Sequence, residues 1–152
     1  MRLVDILKKE SISVDLKSKG KEEVLKELTE LLGKDIKDKK KIVKVLIERE
    51  NLGSTGIGQG IAVPHGKMNN INKLVAALGI SKKGVDFNSL DGEPVYIFFL
   101  LVAPKDSAGP HLKALARISR ILRNTSFCNI LRKSKDVEQI YRLIIKEDEK
   151  GN

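Results

Sequence analysis

The chain carries two histidines, His65 and His111, and each sits where an imidazole can do chemistry. His65 closes the stretch from Gly53 to His65 (GSTGIGQGIAVPH), the longest glycine-rich segment of the chain. Pro64 fixes its own φ and drives Val63 toward an extended conformation. His65 is therefore expected at the end of a short apolar strand, Ile61 to Val63, on a loop of small residues. His111 follows Pro110 at the expected opening of a helix, where free backbone N–H groups and the dipole attract anions. Arg49 precedes the glycine stretch, in the expected last turn of another helix, where the dipole favours a cation. A neutral imidazole attacks phosphorus and holds the phosphoryl group as a labile P–N bond. Such transfer needs positioning and charge stabilisation on the equatorial oxygens, which loop amides, Arg49 and His111 would supply if they converge.

The elements that must bring them together are legible in outline. Residues 1–10 read as a short amphipathic turn, and the alternation from Ser11 to Asp15 as a short strand. Val24, Leu25, Leu28, Leu31 and Leu32 make one face of a helix from Lys21 that Gly33 stops. Asp38 is placed to cap a second helix, with Ile42, Val43, Leu46 and Ile47 inward and its end near Asn51. Met68 to Lys73 reads as a connector and Leu74 to Ser81 as a strand; Lys83-Gly84 and Asp91-Gly92 punctuate a loop. Val95 to Ala103 is the most apolar run, rich in β-branched and aromatic residues, and is expected at the sheet centre, buried on both faces. Pro110 suits a first helical position, followed by an inner face of Leu112, Leu115, Ile118 and Leu122 and an outer face of Lys113, Arg117 and Arg120. A shorter helix over Phe127 to Arg132 precedes a last one beginning near Ser134 or Asp136, with Val137, Ile140, Tyr141, Ile144 and Ile145 inward and a frayed tail from Glu147. The sum is a three-layer α/β/α sandwich, a mixed β-sheet flanked by helices, in one domain over 1–152.

Composition narrows the function classes. Apolar content of 41% fits a globular fold, and no stretch approaches the roughly 18 apolar residues of a membrane span. One cysteine, Cys128, in an apolar and basic context, rules out an internal disulfide and reads as buried filler. With a charged N-terminus unlike a signal peptide, the expected location is cytoplasmic. No H-E-x-x-H motif or cysteine pair suggests a metal, and the glycines match neither the dinucleotide fingerprint nor a P-loop, so no cofactor is expected. The formal charge of +9 suits any acidic or phosphorylated partner, while 4% aromatic content is thin for base stacking, so specific nucleic-acid binding is not expected.

The segment Glu48 to Gly66 (ERENLGSTGIGQGIAVPHG) resembles the active-site signature of EIIA domains of the fructose–mannitol type, from the bacterial phosphoenolpyruvate-dependent phosphotransferase system. The likeness continues through Phe87 to Val95, the hydrophobic strand and Pro110-His111-Leu112, and covers nearly the whole chain. It implies that His65 accepts a phosphoryl group at Nε2 from the phosphocarrier protein HPr, or a nitrogen-branch paralogue, and passes it to a cysteine of an EIIB partner. On the same basis His111 orients the transferred group, Arg49 neutralises its charge, and Ser54, Thr55 and Gly56 belong to the phosphate-binding loop, the two hydroxyls as donors or turn formers. Lys67 stands where relatives often carry arginine, which keeps a charge but loses the bidentate fork. The resemblance admits both a sugar-uptake role and a regulatory one. A different class, a binding module of the same fold that docks acidic proteins or nucleic acid without phosphoryl chemistry, rests on the +9 charge. Ile57 and Met68 are candidates for a docking rim around His65, or for core.

Overall fold

The run of apolar residues at 95–104 forms the strand on which everything else is registered. A computed structural model describes residues 1–151. In it the strands are β1 (Leu7–Ser13), β2 (Gly56–Gly58), β3 (Ile61–Ala62), β4 (His65–Met68), β5 (Val75–Val85) and β6 (Val95–Pro104). The helices are α1 (Lys21–Glu30), α2 (Lys39–Asn51), α3 (Ala108–Leu122), α4 (Thr125–Lys133) and α5 (Val137–Glu149). The sheet order is β1-β5-β6-β3-β2, with β4 also paired to β6. β5 and β6 are antiparallel, while β1 pairs parallel to β5 and both β3 and β4 pair parallel to β6, so the sheet is mixed.

Side chains alternate across a strand, and β6 shows why it must be apolar throughout. Ile97, Phe99 and Leu101 join a core with Ala114, Ile118, Leu131, Ile140 and Ile144 of α3, α4 and α5. Phe98, Leu100 and Val102 join a second core with Val24, Leu25 and Leu28 of α1 and Ile42 and Leu46 of α2. Helices thus cover both faces, the expected three-layer α/β/α arrangement.

Several local readings need correction. The first ten residues hold a 3-10 turn at Leu3–Asp5, and the strand begins already at Leu7. Lys83 and Gly84 lie within β5, where a register irregularity between Ile80 and Val85 lets the pairing with β6 resume. Asp38 precedes α2 in a left-handed conformation with φ 62°, and its side chain makes no capping bond. α1 ends at Glu30, before Gly33, with Leu31 as a right-handed C-cap. Pro110 is the third residue of α3, whose first turn tolerates it because those N–H groups have no intrahelical acceptor. Leu112 is 68% exposed, while Ala114 and Ile121 take inner positions. The last turn of α5 is anchored. Asp148 is 1% exposed, accepts the Leu3 backbone N–H at 2.8 Å, and pairs with Arg117 at 3.0 Å. Arg117 is accordingly a bridge from α3 to α5 and no part of a free outer face.

Candidate active site

His65 is placed by a parallel ladder. β3 and β4 run end to end along one edge of β6, with Ile61 opposite Ile97 and His65 opposite Leu101. Val63 and Pro64 form the joint between them; Pro64 has no N–H to donate, but its carbonyl accepts from Leu101 N at 2.9 Å. His65 therefore opens a strand of its own, where the sequence suggested a loop. Before it, β2 and β3 make a hairpin whose central residues, Gln59 (φ 58°) and Gly60 (φ 81°), both have positive φ, the pattern of a tight primed turn. The next residue, Gly66, is needed for close approach: a Cβ there would lie 2.8 Å from Val45 Cγ1 of α2. That contact sets α2 against β4 and brings Arg49 alongside.

The His65 Nδ1 lies 2.8 Å from the Val63 carbonyl oxygen. A carbonyl only accepts, so Nδ1 carries the proton and the lone pair of the neutral ring is on Nε2. Burial holds the His65 imidazole below its ordinary value of 6.5; the Arg49 guanidinium pushes the same way, and the Val63 bond and Glu50 oppose. The His111 ring stands 5.6 Å from that of His65, centroid to centroid, at 71°. His111 is 5% exposed, and its Nε2 has no hydrogen-bond partner among the described residues. A buried nitrogen left unpaired costs about 1–3 kcal/mol, a cost an incoming oxygen relieves. Burial, then the charges of His65 and Lys67, hold His111 below its ordinary value as well.

Both imidazoles line an open groove of about 730 Å³ between α2 and α3, together with Arg49 and Lys67. Val45, Leu52, Leu112 and Leu115 supply apolar walls, and Glu48 the one carboxylate. Arg49 donates from Nη1 to the Gly53 carbonyl at 2.8 Å, which ties the end of α2 to the glycine stretch while leaving other guanidinium donors. The three residues singled out from sequence, His65, His111 and Arg49, are thus gathered at one place.

Ser54, Thr55 and Gly56 are not among the residues that line the groove. The Ser54 hydroxyl donates to the Phe87 carbonyl at 3.0 Å and accepts from Gly56 N at 3.0 Å. Thr55 is buried, and both its N–H (3.1 Å) and its hydroxyl donate to Glu50. Gly56 packs against Ser89, with no room for a Cβ. These groups fix the loop from behind. Met68 is core at 1% exposure, and Ile57 is half exposed.

Glu50 is the residue sequence reading missed. It is 5% exposed, accepts from Thr55, and pairs with Lys21 Nζ of α1 at 3.2 Å. The signal was present: Ile42, Leu46 and Glu50 fall at i, i+4 and i+8, on the buried face of α2.

Residues 5–147 match the family described as phosphoenolpyruvate-dependent sugar phosphotransferase system, EIIA 2. The chain belongs to that family. Membership makes phosphotransfer its class of activity. The chain is 38% identical over 148 residues to a nitrogen regulatory protein of Bradyrhizobium diazoefficiens, covering 95% of each. It is 34% identical over 150 residues to the fructose-specific EIIABC component of Bacillus subtilis; there it spans 97% of its own length and 24% of the relative's. The crystal structure of nitrogen regulatory protein IIA-Ntr from Neisseria meningitidis superposes with a TM-score of 0.88 at 28% identity, covering 93% of this chain and 98% of that one. Among the described residues no helix is long and apolar enough to cross a membrane.

Proposed function

We propose that this EIIA chain, acting as one unit, is a phosphocarrier whose phosphoacceptor is Nε2 of His65. The observation that carries this is the His65 Nδ1 to Val63 carbonyl bond at 2.8 Å, which puts the lone pair on Nε2 at a groove that also holds Arg49 and His111. The donor is phosphorylated HPr or its nitrogen-branch paralogue. The Nε2 lone pair attacks phosphorus as the donor's P–N bond breaks, and that electron pair returns to the donor imidazole. No proton moves at Nε2, and Nδ1–H stays on the Val63 carbonyl. Arg49 and Lys67 neutralise the dianion, and His111 hydrogen-bonds an equatorial oxygen. A thiolate of an EIIB partner then attacks phosphorus, an S–P bond forms, and the electron pair returns to His65 Nε2.

The fructose-specific relative with A, B and C parts supports an EIIB acceptor. A regulatory use of the phosphorylation state is favoured by a specific observation: the nitrogen regulatory relative matches at 38% identity end to end. Incubation with phosphoenolpyruvate, enzyme I and HPr should give acid-labile, base-stable label on the wild type and none on His65→Ala. Label that survives the substitution contradicts the proposal. A chase with the EIIB proteins of the same organism separates the roles, since prompt loss of label marks transport and retention marks regulation.

A further inference from the structure

α2 reaches the groove with one end and carries a dense cationic strip on the other. Six lysines lie between positions 34 and 44, against two aspartates. Lys39, Lys40 and Lys41 fill the first turn of α2, where no acidic residue stands. Cations there oppose the positive end of the helix dipole, so the placement works against the helix it belongs to. Lys40, Lys41 and Lys44 are exposed, as is Lys67 on β4, and none of the four has an ion pair among the described residues. Residues three and four apart share a helix face. Lys41 is therefore one turn from Val45, and Lys44 one turn from Glu48, both of which line the groove. Leu52 (86% exposed) and Leu112 (68%) stand on its rim as apolar anchors. A phosphoryl group fills only a small part of about 730 Å³. The remainder is apolar wall with a margin that is positive apart from Glu48.

We propose that this margin is a docking surface for an acidic protein: the partner that exchanges a phosphoryl group with His65 seats an apolar side chain between Leu52 and Leu112 and lays carboxylates along Lys40, Lys41, Lys44 and Lys67. The inference rests on the phosphocarrier reading and adds the surface chemistry of the partner. Complementary charge at a transient interface acts mainly on the association rate and is screened by salt. Aspartates or glutamates should therefore lie on the face of the partner that meets α2, beside its reactive residue.

The test measures phosphorylation of His65 by the phosphorylated donor protein of the same organism, and separately by phosphoramidate, which needs no docking. The proposal expects the protein-donor rate to fall about tenfold between 50 and 300 mM salt. It expects the triple variant Lys40→Glu, Lys41→Glu, Lys44→Glu to be about tenfold slower at low salt, with a flatter salt response. Phosphoramidate should label wild type and variant at the same rate. Acidic residues in the first turn suit the helix dipole, so the variant keeps α2. A variant as fast as wild type with the protein donor overturns the proposal, as does tight salt-resistant binding of random-sequence duplex DNA that the variant loses while transfer is unaffected. No label on wild type from either donor overturns the phosphocarrier reading itself, and this one with it.

Discussion

An imidazole attacks phosphorus only through an unprotonated nitrogen, so what holds His65 neutral also sets its pH range. Burial and Arg49 lower its pKa from 6.5. The phosphoramidate labelling rate should therefore reach half its high-pH value only below pH 6.5; a rate half lost at 6.5 or higher contradicts this. The same shift acts on stability. Below 6.5 an unfolded chain takes up protons on both histidines before the folded one does, so stability is full above 6.5 and falls as pH drops through the folded values. Urea midpoints at pH 7.5 and 5.5 should show a drop that shrinks in His111→Ala. The same variant should slow transfer to His65 by about a hundredfold without moving the label, as expected when one hydrogen-bonding group to a developing charge is removed. His65, His111 and Arg49 were legible because their residue types are rare or motif-bound; the Val63 carbonyl was not, since a backbone acceptor has no letter in the sequence.

At the scale of elements, the glycine stretch is held by a buried acid. Glu50 satisfies the Thr55 N–H and hydroxyl and is neutralised by Lys21, joining α1, α2 and the hairpin at one point. Glu50→Ala leaves the buried Thr55 N–H and hydroxyl without their acceptor and removes the counter-ion of the half-buried Lys21, and should cost about 2 kcal/mol in urea unfolding. An unchanged midpoint would show that water replaces the carboxylate freely. Long amphipathic helices and the apolar β6 were readable because periodicity and burial repeat over many residues. The short strands were not: β3 has two residues and β4 four, too few for alternation to show, and their placement comes from the ladder with β6. Lys83-Gly84 misled because a glycine inside a strand that bulges looks the same in sequence as one in a turn.

Across the whole molecule, the turn at Leu3 and the end of α5 close on Asp148. Its carboxylate takes the Leu3 N–H and the Arg117 guanidinium, with Arg120 at 3.7 Å, and none of these residues lines the groove. Asp148→Ala should lower stability by about 3 kcal/mol while leaving phosphoramidate labelling of His65 intact. Equal stability would return the tail to the frayed state its polar sequence suggested. A lone aspartate in a charged tail gives no sign of burial; only the fold supplies Leu3 and Arg117 as partners. The layer order, by contrast, followed from patterning, because a run apolar at every position needs helices on both sides.

The account turns on which nitrogen takes the phosphoryl group. Two-dimensional ¹H–¹⁵N spectra of the histidine rings, recorded before and after phosphorylation by the donor protein, read this directly. The account predicts a phosphorus-coupled Nε2 on His65, with Nδ1 still protonated against Val63 and His111 unmodified. Phosphorus on His65 Nδ1, or on His111, contradicts it.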